Sequence, residues 1–215
     1  MAPEPEIKHG WLSSELQTEF PKLALRYADL ELRARSSRAA IKGRLRTLSD
    51  RFTGAKAINL RQEPIPWAYR VFFRQVGIDP DDQRTPPEAI ALERMRAGAF
   101  RSQGLVDDAL LIAMVETWVA LVAFDAERLD GPIGLRLAAR DEQLGGKQER
   151  PLSTGQIVIA DAERPVSILF GDVAGGCAAH SGTRKLVLAA IQVKGVPELS
   201  VEEAIWTASE VLVGD

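Results

Sequence analysis

Gln156-Ile-Val-Ile-Ala-Asp161 opens the stretch that decides the fold, and this stretch ends at Val193. Two further apolar segments follow, Val166–Phe170 and Leu186–Val193. All three segments are short and rich in β-branched residues, which predicts three β-strands. Their unbroken apolar runs indicate strands that are covered on both faces. Gly175 and Gly176 lie between the last two strands, where glycines let a backbone approach a ligand closely, although a tight turn is the simpler explanation.

Length and composition restrict the class of protein. With 215 residues, 46% of them hydrophobic, the chain can bury one substantial core, so we expect a single domain over residues 1–215. Cys177 is the only cysteine, and His9 and His180 are the only histidines. This excludes an internal disulfide and a metal site built from several cysteines or histidines, and we expect no cofactor. No apolar run is long enough to span a bilayer and no signal peptide is visible, which predicts a cytoplasmic protein with no membrane partner.

The charge is unevenly distributed along the chain. The net charge is −3, yet the stretch Lys22–Arg61 carries eleven Lys or Arg residues against three acids. Such an excess suits a polyanion such as tRNA, because neutralised phosphates release counterions. A solvated helix face balanced by acids elsewhere in the fold explains it as well. The candidate RNA-binding residues on the predicted helix of this stretch are Arg38, Lys42, Arg44, Arg46 and Arg51.

Periodicity predicts that helices dominate before Gly104 and strands from Trp118 to Val193. Two helices are predicted first, one within Gly10–Glu19 with a start signal at Ser13-Ser14, and one capped by Ser36 or Ser37 with a core stripe of Ile41, Leu45, Leu48 and Phe52; a strand over Leu23–Leu32 lies between them. Two more follow before Gly104, one opened by Pro64 with Trp67, Val71, Phe72 and Val76 on one face, and one opened by Thr85-Pro-Pro-Glu88. A last helix is predicted over Ser200–Leu212, with Ser200 as its cap.

Several motifs carry a family resemblance. Leu121-Val-Ala-Phe-Asp125, Ile157–Pro165, Gly175-Gly176 and Thr183 occur in this order. Together they resemble the tRNA-binding and editing domain, called B3/B4, of the β subunit of bacterial phenylalanyl-tRNA synthetase. Gly77-Ile-Asp-Pro80 and other upstream motifs are similar to stand-alone relatives of that domain. The resemblance implies one B3/B4-like domain, with residues 1–63 as an N-terminal part that carries the basic stretch and residues 64–215 as the part that resembles the family.

The resemblance also implies an α+β fold in which layered β-sheets pack against helices and enclose a pocket between the sheets. In the synthetase this pocket hydrolyses tyrosine wrongly esterified to the phenylalanine tRNA. This chain departs from the family at two pocket positions, because Val122 replaces a histidine and Ala189 replaces a glutamate. The glutamate helps to recognise the tyrosine hydroxyl, so the departures imply that the synthetase-type editing residues are lost, and we assign no catalytic residue.

The remaining matches define a candidate pocket. We expect Val122, Gly175, Gly176 and Ala189 to converge on one concavity with an apolar wall. The full set of ligand-pocket candidates is Val122, Phe124, Arg136, Gly175, Gly176, Thr183 and Ala189. For Arg136 an ion pair within the fold is the alternative role. Asp125 and Asp161 each end an apolar segment, where a carboxylate accepts backbone N–H groups of the following turn.

Two other side chains could supply chemistry. His180 could replace the lost imidazole or stay idle in an exposed loop. Cys177 is a candidate nucleophile, but the sequence shows no histidine and acid arranged beside it to activate the thiol.

Two classes of function follow. The first is an RNA-linked protein, which either binds tRNA or aminoacyl-tRNA without editing or is a trans-acting aminoacyl-tRNA hydrolase of different specificity. The second is a protein that binds an amino-acid-like small molecule in the reused pocket.

Overall fold

The fold is taken from a computed structural model, which describes residues 4–32, 38–146 and 150–214. Its helices are α1 (Ser14–Glu19), α2 (Arg38–Arg51), α3 (Gly54–Asn59), α4 (Pro64–Gln75), α5 (Pro86–Ala97), α6 (Leu105–Thr117) and α7 (Glu198–Val213), with single 3₁₀ turns at Leu60–Gln62 and Ala126–Arg128. Its strands are β1 (Lys8–His9), β2 (Trp11–Leu12), β3 (Ala24–Glu31), β4 (Leu121–Asp125), β5 (Gly134–Leu137), β6 (Gln143–Leu144), β7 (Arg150–Pro151), β8 (Ile157–Ala160), β9 (Pro165–Ile168) and β10 (Lys185–Gln192).

The strands form two four-stranded sheets and one small hairpin. The first sheet has the order β1-β3-β10-β4 and is antiparallel throughout. The second has the order β2-β5-β8-β9, in which β2 and β5 are parallel and the other pairs antiparallel. The strands β6 and β7 pair with each other. Two sheets and seven helices give the α+β class that the sequence predicts.

The central strand of the first sheet is β10, and it organises the core. It pairs along its whole length with β3 and along five residues with β4. Helix α7 packs on β10 and β3, α6 packs on β4 and on α7, and β3 also contacts β5 of the second sheet. The first sheet is therefore covered by helices and by the second sheet, which explains why residues 186–191 are all buried.

Tyr69 and Phe170 tie helix α4 to the sheets. The buried hydroxyl of Tyr69 donates to the carbonyl oxygen of Ile191 at 2.7 Å and accepts from the amide of Ala120 at 3.0 Å. Burial raises the pKa of Tyr69. The ring of Phe170 packs against the rings of Tyr69, Phe72 and Phe73. The aromatic residues of α4 thus fix the start of β4 and the end of β10.

Most helix predictions are confirmed. The residues Ile41, Leu45 and Phe52 are buried as expected, with Leu48 packed against the same core. The capping box of α5 forms between Thr85 and Glu88. The cap predicted at Ser36 or Ser37 lies outside the described residues.

Three local predictions are wrong. The extent of the first helix is one of them, because Trp11 and Leu12 form strand β2 outside it, although the start signal at Ser13-Ser14 is confirmed by the cap at Ser13. Trp67 is 50% exposed, because α4 turns its neighbours Ala68 and Tyr69 to the core instead. Helix α7 begins at Glu198 with Pro197 in the cap position, so Ser200 lies within the helix.

The helices show no membrane-spanning segment: within the described ranges, none combines the length and the apolar character that a bilayer crossing requires.

Candidate functional site

Val122 on β4 and Ala189 on β10 face each other. They are register partners in the antiparallel ladder, so their side chains project from the same face of the first sheet. Tyr27 on β3 is the partner of Ala189 on the other side, and Lys8 on β1 is the partner of Tyr27. Ala189 has no exposed surface and Val122 is half-buried. The two positions where the sequence departs from the family are therefore adjacent in space, and both are aliphatic.

The glycine loop contacts the end of β4. The amide of Asp125 donates to the carbonyl oxygen of Cys177 at 2.9 Å, and Phe124 forms an isolated bridge with Ala178. Gly175 and Gly176 are exposed in the turn that leads into this contact. A Cβ atom added at Gly176 would meet no atom within 4 Å, so the fold itself does not require a glycine there.

A hydrogen-bonded cluster closes the loop onto β4. Thr183 is buried, and its hydroxyl donates to Asp125 Oδ2 at 2.8 Å. The same hydroxyl accepts from the amide of His180 at 3.0 Å. Asp125 Oδ1 accepts from the amide of Glu127 and so caps the 3₁₀ turn Ala126–Arg128 after β4. Asp125 and Thr183 therefore hold the backbone in place, which is the role predicted for Asp125.

His180 has both ring nitrogens engaged. Its Nε2 lies 3.3 Å from Asp125 Oδ2, and its Nδ1 accepts from the amide of Gly182 at 3.0 Å. A Cβ atom at Gly182 would lie 2.8 Å from His180 Cε1, so the ring packs directly on this glycine. No nitrogen is left over to activate a water, which argues against His180 as a replacement general base.

Cys177 is almost fully buried, and its Sγ lies 3.8 Å from the carbonyl oxygen of Arg128. Reactive cysteines need exposure and an environment that favours the thiolate. The burial of this thiol therefore does not fit a nucleophile.

Arg136 and Asp161 both form contacts that stabilise the second sheet and its turns. The guanidinium of Arg136 donates to both carboxylate oxygens of Glu142, at 2.7 and 2.5 Å. These hydrogen bonds raise the pKa of Arg136 and lower the pKa of Glu142. Asp161 accepts from the amides of Asp130, Glu163 and Arg164. An ion pair within the fold thus occupies Arg136, and Asp161 binds the turn that follows it.

The basic residues of α2 divide into two groups. Arg44 donates to both oxygens of Glu116 on α6 and to Glu210 on α7, so its charge is neutralised within the fold. Lys42, Arg46 and Arg51 are exposed and form no ion pair in the described part of the chain. The side chain of Arg38, the remaining candidate, lies outside the described residues. Lys42 and Arg46 are four positions apart and share one side of the helix, whereas Arg51 lies about 180° around the helix from Lys42. The exposed basic face of α2 is hereafter the surface formed by Lys42 and Arg46.

A cavity of about 270 Å³ opens on the same face of the first sheet as Val122 and Ala189, next to Tyr27, the register partner of Ala189. It is lined by Lys8, Tyr27, Asp29 and Val187 of the first sheet and by residues 131–133, which lead into β5. No motif in the sequence marks this group. The alternation of β3 does place Tyr27 and Asp29 on one face. Lys8, by contrast, lies in a two-residue strand that leaves no periodic signal.

Comparisons with known proteins agree with the resemblance seen in the sequence. The model of the B3/4 domain family matches residues 68–190. A phenylalanine-tRNA ligase β subunit from Xylella fastidiosa is 34% identical over 94 residues, which cover 43% of this chain and 12% of that protein. The corresponding subunit from Gloeobacter violaceus is 38% identical over 103 residues, which cover 46% of this chain and 13% of that protein. The matched region is therefore a small part of these relatives.

Proposed function

The chain belongs to the B3/4 domain family, and from this premise we propose that it binds tRNA or the aminoacylated 3′ end of tRNA without efficient hydrolysis of tyrosyl esters. The observation that carries the proposal is the pairing of Val122 with Ala189. These are the two positions at which, by the resemblance, an editing pocket carries an imidazole and a carboxylate.

Two aliphatic side chains cannot do what those groups do. A buried phenol hydroxyl needs a hydrogen-bonding partner, and a site that lacks one loses selectivity for tyrosine over phenylalanine. An attacking water must also be held, and Val122 and Ala189 offer neither a donor nor an acceptor. His180 does not compensate, since both of its nitrogens are already engaged.

The exposed basic face of α2 supports the binding half of the proposal. Lys42 and Arg46 carry positive charge that no acid of the described residues pairs with. Arg44 anchors the helix to α6 and α7 through Glu116 and Glu210, so this charge is presented on a fixed element. Phosphates bound there would release counterions, and the affinity would fall steeply with salt.

A deacylation assay tests the catalytic half. The protein is incubated with phenylalanine tRNA charged with tyrosine, and with the same tRNA charged with phenylalanine as the control. We expect both esters to decay at the rate seen without protein. Rapid loss of tyrosine alone would overturn the proposal, and rapid loss of another esterified amino acid would replace it with a trans-acting hydrolase.

A salt titration tests the binding half. We expect bulk tRNA to bind with an affinity that falls between about 50 and 200 mM salt. Lys42→Glu and Arg46→Glu should each weaken binding, whereas Lys194→Glu, the same charge change at an exposed lysine in the turn before α7, should not. Equal effects of Lys42→Glu and Lys194→Glu, or binding that ignores salt, would contradict the assignment of this face.

A further inference from the structure

Five of the six large hydrophobic side chains that are exposed in the described chain lie on two surfaces. Three of them belong to α3 and α5, and two belong to α7. The sixth, Trp67 on α4, has the guanidinium of Arg74 over its ring, 5.6 Å from the centroid. A single exposed apolar side chain needs no explanation, but a cluster of them marks a surface that another molecule covers.

Helices α3 and α5 lie side by side and run antiparallel. A Cβ atom added to Gly54, at the start of α3, would lie 3.7 Å from Cε of Met95, near the end of α5. Arg61, just after α3, pairs with Glu88 in the first turn of α5 at 3.0 Å. The apolar side chains exposed along this helix pair, hereafter the α3–α5 surface, are those of Ile58, Leu92 and Met95.

The rim of the α3–α5 surface is positively charged. Arg96 lies about 40° around α5 from Leu92, whereas Glu93 lies about 100° away. Arg101 donates to the carbonyl oxygen of Ala97 at 3.5 Å, so its guanidinium lies at the end of α5. Both arginines are exposed, and neither forms an ion pair within residues 4–32, 38–146 and 150–214.

The outer face of α7 combines apolar side chains with negative charge. Leu199 is 75% and Trp206 47% exposed, and seven positions separate them, which places them within about 20° of each other around the helix. Glu202 and Glu203 lie between them, within about 60° of Trp206. Neither glutamate forms an ion pair or a hydrogen bond in the part of the chain that the structure describes. These four residues are hereafter the α7 surface.

The two surfaces complement each other in charge and share an apolar centre. Two copies of the α7 surface would bring glutamates against glutamates, and two copies of the α3–α5 surface would bring arginines against arginines. Like charges that meet across an interface oppose binding, whereas opposite charges steer the partners together. Tryptophan, methionine and arginine are also residue types that are enriched in protein interfaces. The favourable contact therefore joins one α7 surface to one α3–α5 surface.

We propose that copies of this chain associate head to tail, with the α7 surface of one copy docked on the α3–α5 surface of the next. The ring of Trp206 packs among the exposed side chains of α3 and α5, while Glu202 and Glu203 pair with Arg96 and Arg101. Such a contact is heterologous, so it either closes into a ring or continues as a chain. It does not rest on tRNA binding, because neither surface contains a residue of the exposed basic face of α2.

Sedimentation velocity of the unmodified protein, freed of RNA by nuclease, gives the first test. The mean mass should rise above that of the monomer as the protein concentration increases from about 1 μM to about 1 mM. Salt at about 1 M should weaken the association, because the Debye length then falls to about 3 Å. A monomer at every concentration would overturn the proposal.

Two exposed tryptophans provide a matched pair of variants. Trp206 and Trp67 are 47% and 50% exposed, and both lie on helices, but only Trp206 belongs to a proposed surface. We expect Trp206→Ala to weaken association at least about tenfold and Trp67→Ala to leave it unchanged. Equal effects of the two substitutions would contradict the assignment of the α7 surface.

Charge reversal tests which surfaces meet. Glu202→Arg with Glu203→Arg makes the α7 surface positive, and Arg96→Glu with Arg101→Glu makes the rim of the α3–α5 surface negative. Each double variant alone should remain a monomer. Their mixture should associate, because every contact between the two variants again joins opposite charges. A mixture that stays monomeric, although both variants unfold cooperatively in urea, would overturn the proposal.

A further double variant separates this contact from RNA binding. Lys42→Glu with Arg46→Glu should weaken tRNA binding and leave the association of copies unchanged. Loss of association in this variant would place the α7 surface against α2 instead, and would overturn the proposal. If a charge-reversed variant does not fold, the concentration series on the unmodified protein and the tryptophan pair decide.

Discussion

Val122 on β4 and Ala189 on β10 occupy directly opposed positions of an antiparallel ladder, although 67 residues separate them in the chain. Side chains opposed in this way lie about 4.5–5.5 Å apart at their Cβ atoms. The effect of a substitution at one position on stability therefore depends on the side chain at the other position. The two aliphatic residues form one apolar patch, and Ala189 is sealed from solvent.

Placing a carboxylate at Ala189 should destabilise the protein. In the described conformation a glutamate side chain there would be buried without a partner, which costs more than about 3 kcal/mol or forces the group to become neutral. Urea denaturation of Ala189→Glu should show this loss, and Val122→His should cost less because Val122 is only half-buried. The control is Ala89→Glu on the exposed surface of α5, expected to lie within about 0.5 kcal/mol of the original protein. A fully stable Ala189→Glu would mean that the fold retains room for the carboxylate.

Arg70 and Arg61 both contact one oxygen of Glu88, which gives a direct comparison of buried and exposed ion pairs. Arg70 lies 2.6 Å from Glu88 Oε1 and is 5% exposed, whereas Arg61 lies 3.0 Å from it and is 46% exposed. We expect Arg70→Gln to lower the free energy of unfolding by about 3–5 kcal/mol, because it leaves a buried carboxylate poorly compensated. Arg61→Gln should cost about 0–1 kcal/mol. Similar losses in the two urea denaturation curves would contradict this division.

Local signals in the sequence predicted much of the fold. The Thr85-Pro-Pro-Glu88 segment specifies a capping box through its own side chains, and the structure has that box. The strands β8, β9 and β10 follow from short β-branched runs. The strands β1 and β2 have two residues each and leave no periodic signal, so the sequence could not show them.

Long-range pairing was the part that the sequence could not give. Arg70 is buried where Glu88 and Asp81 neutralise it, whereas Trp67 on the same helix is half exposed. The sequence pattern groups Arg44 with the exposed cations of α2. In the structure its guanidinium donates to Glu116, 72 positions further along the chain. Charge partners of this kind depend on how the helices pack, which no local pattern encodes.

Acidification should remove the contribution of the Arg136–Glu142 pair. Hydrogen bonds from Arg136 lower the pKa of Glu142 in the folded protein. The ionised carboxylate therefore makes its full contribution to the free energy of unfolding above the unfolded-state pKa of about 4.3. This contribution is lost as the pH falls through the lower folded-state pKa. Between about pH 5 and pH 3, the original protein should lose more stability than Glu142→Gln. Thermal denaturation across this range measures the difference. Asp141→Asn, which replaces an exposed carboxylate of the neighbouring residue, is the control variant.

The hydroxyl of Thr183 should be needed to hold the glycine loop against β4. Thr183→Val removes the hydrogen bond to Asp125 and the one from the His180 amide, which we expect to cost about 1–3 kcal/mol. Thr183→Ser keeps the hydroxyl and should retain most of the stability. Hydrogen exchange of the amides of Cys177 and His180 measures the local part, because opening of the loop exposes them. Equal protection in the two variants would show that the loop is held by other contacts.

Cys177 gives an independent chemical measure of the same loop. Its thiol is 1% exposed, so a thiol reagent should modify the native protein far more slowly than the protein unfolded in urea. Modification then requires the loop to open, because the turn that carries Cys177 is bonded to Asp125 of β4. The rate should rise in Thr183→Val and stay close to the original value in Thr183→Ser. Rapid modification of the folded, unsubstituted protein would show an accessible, activated thiol and would restore the nucleophile role for Cys177.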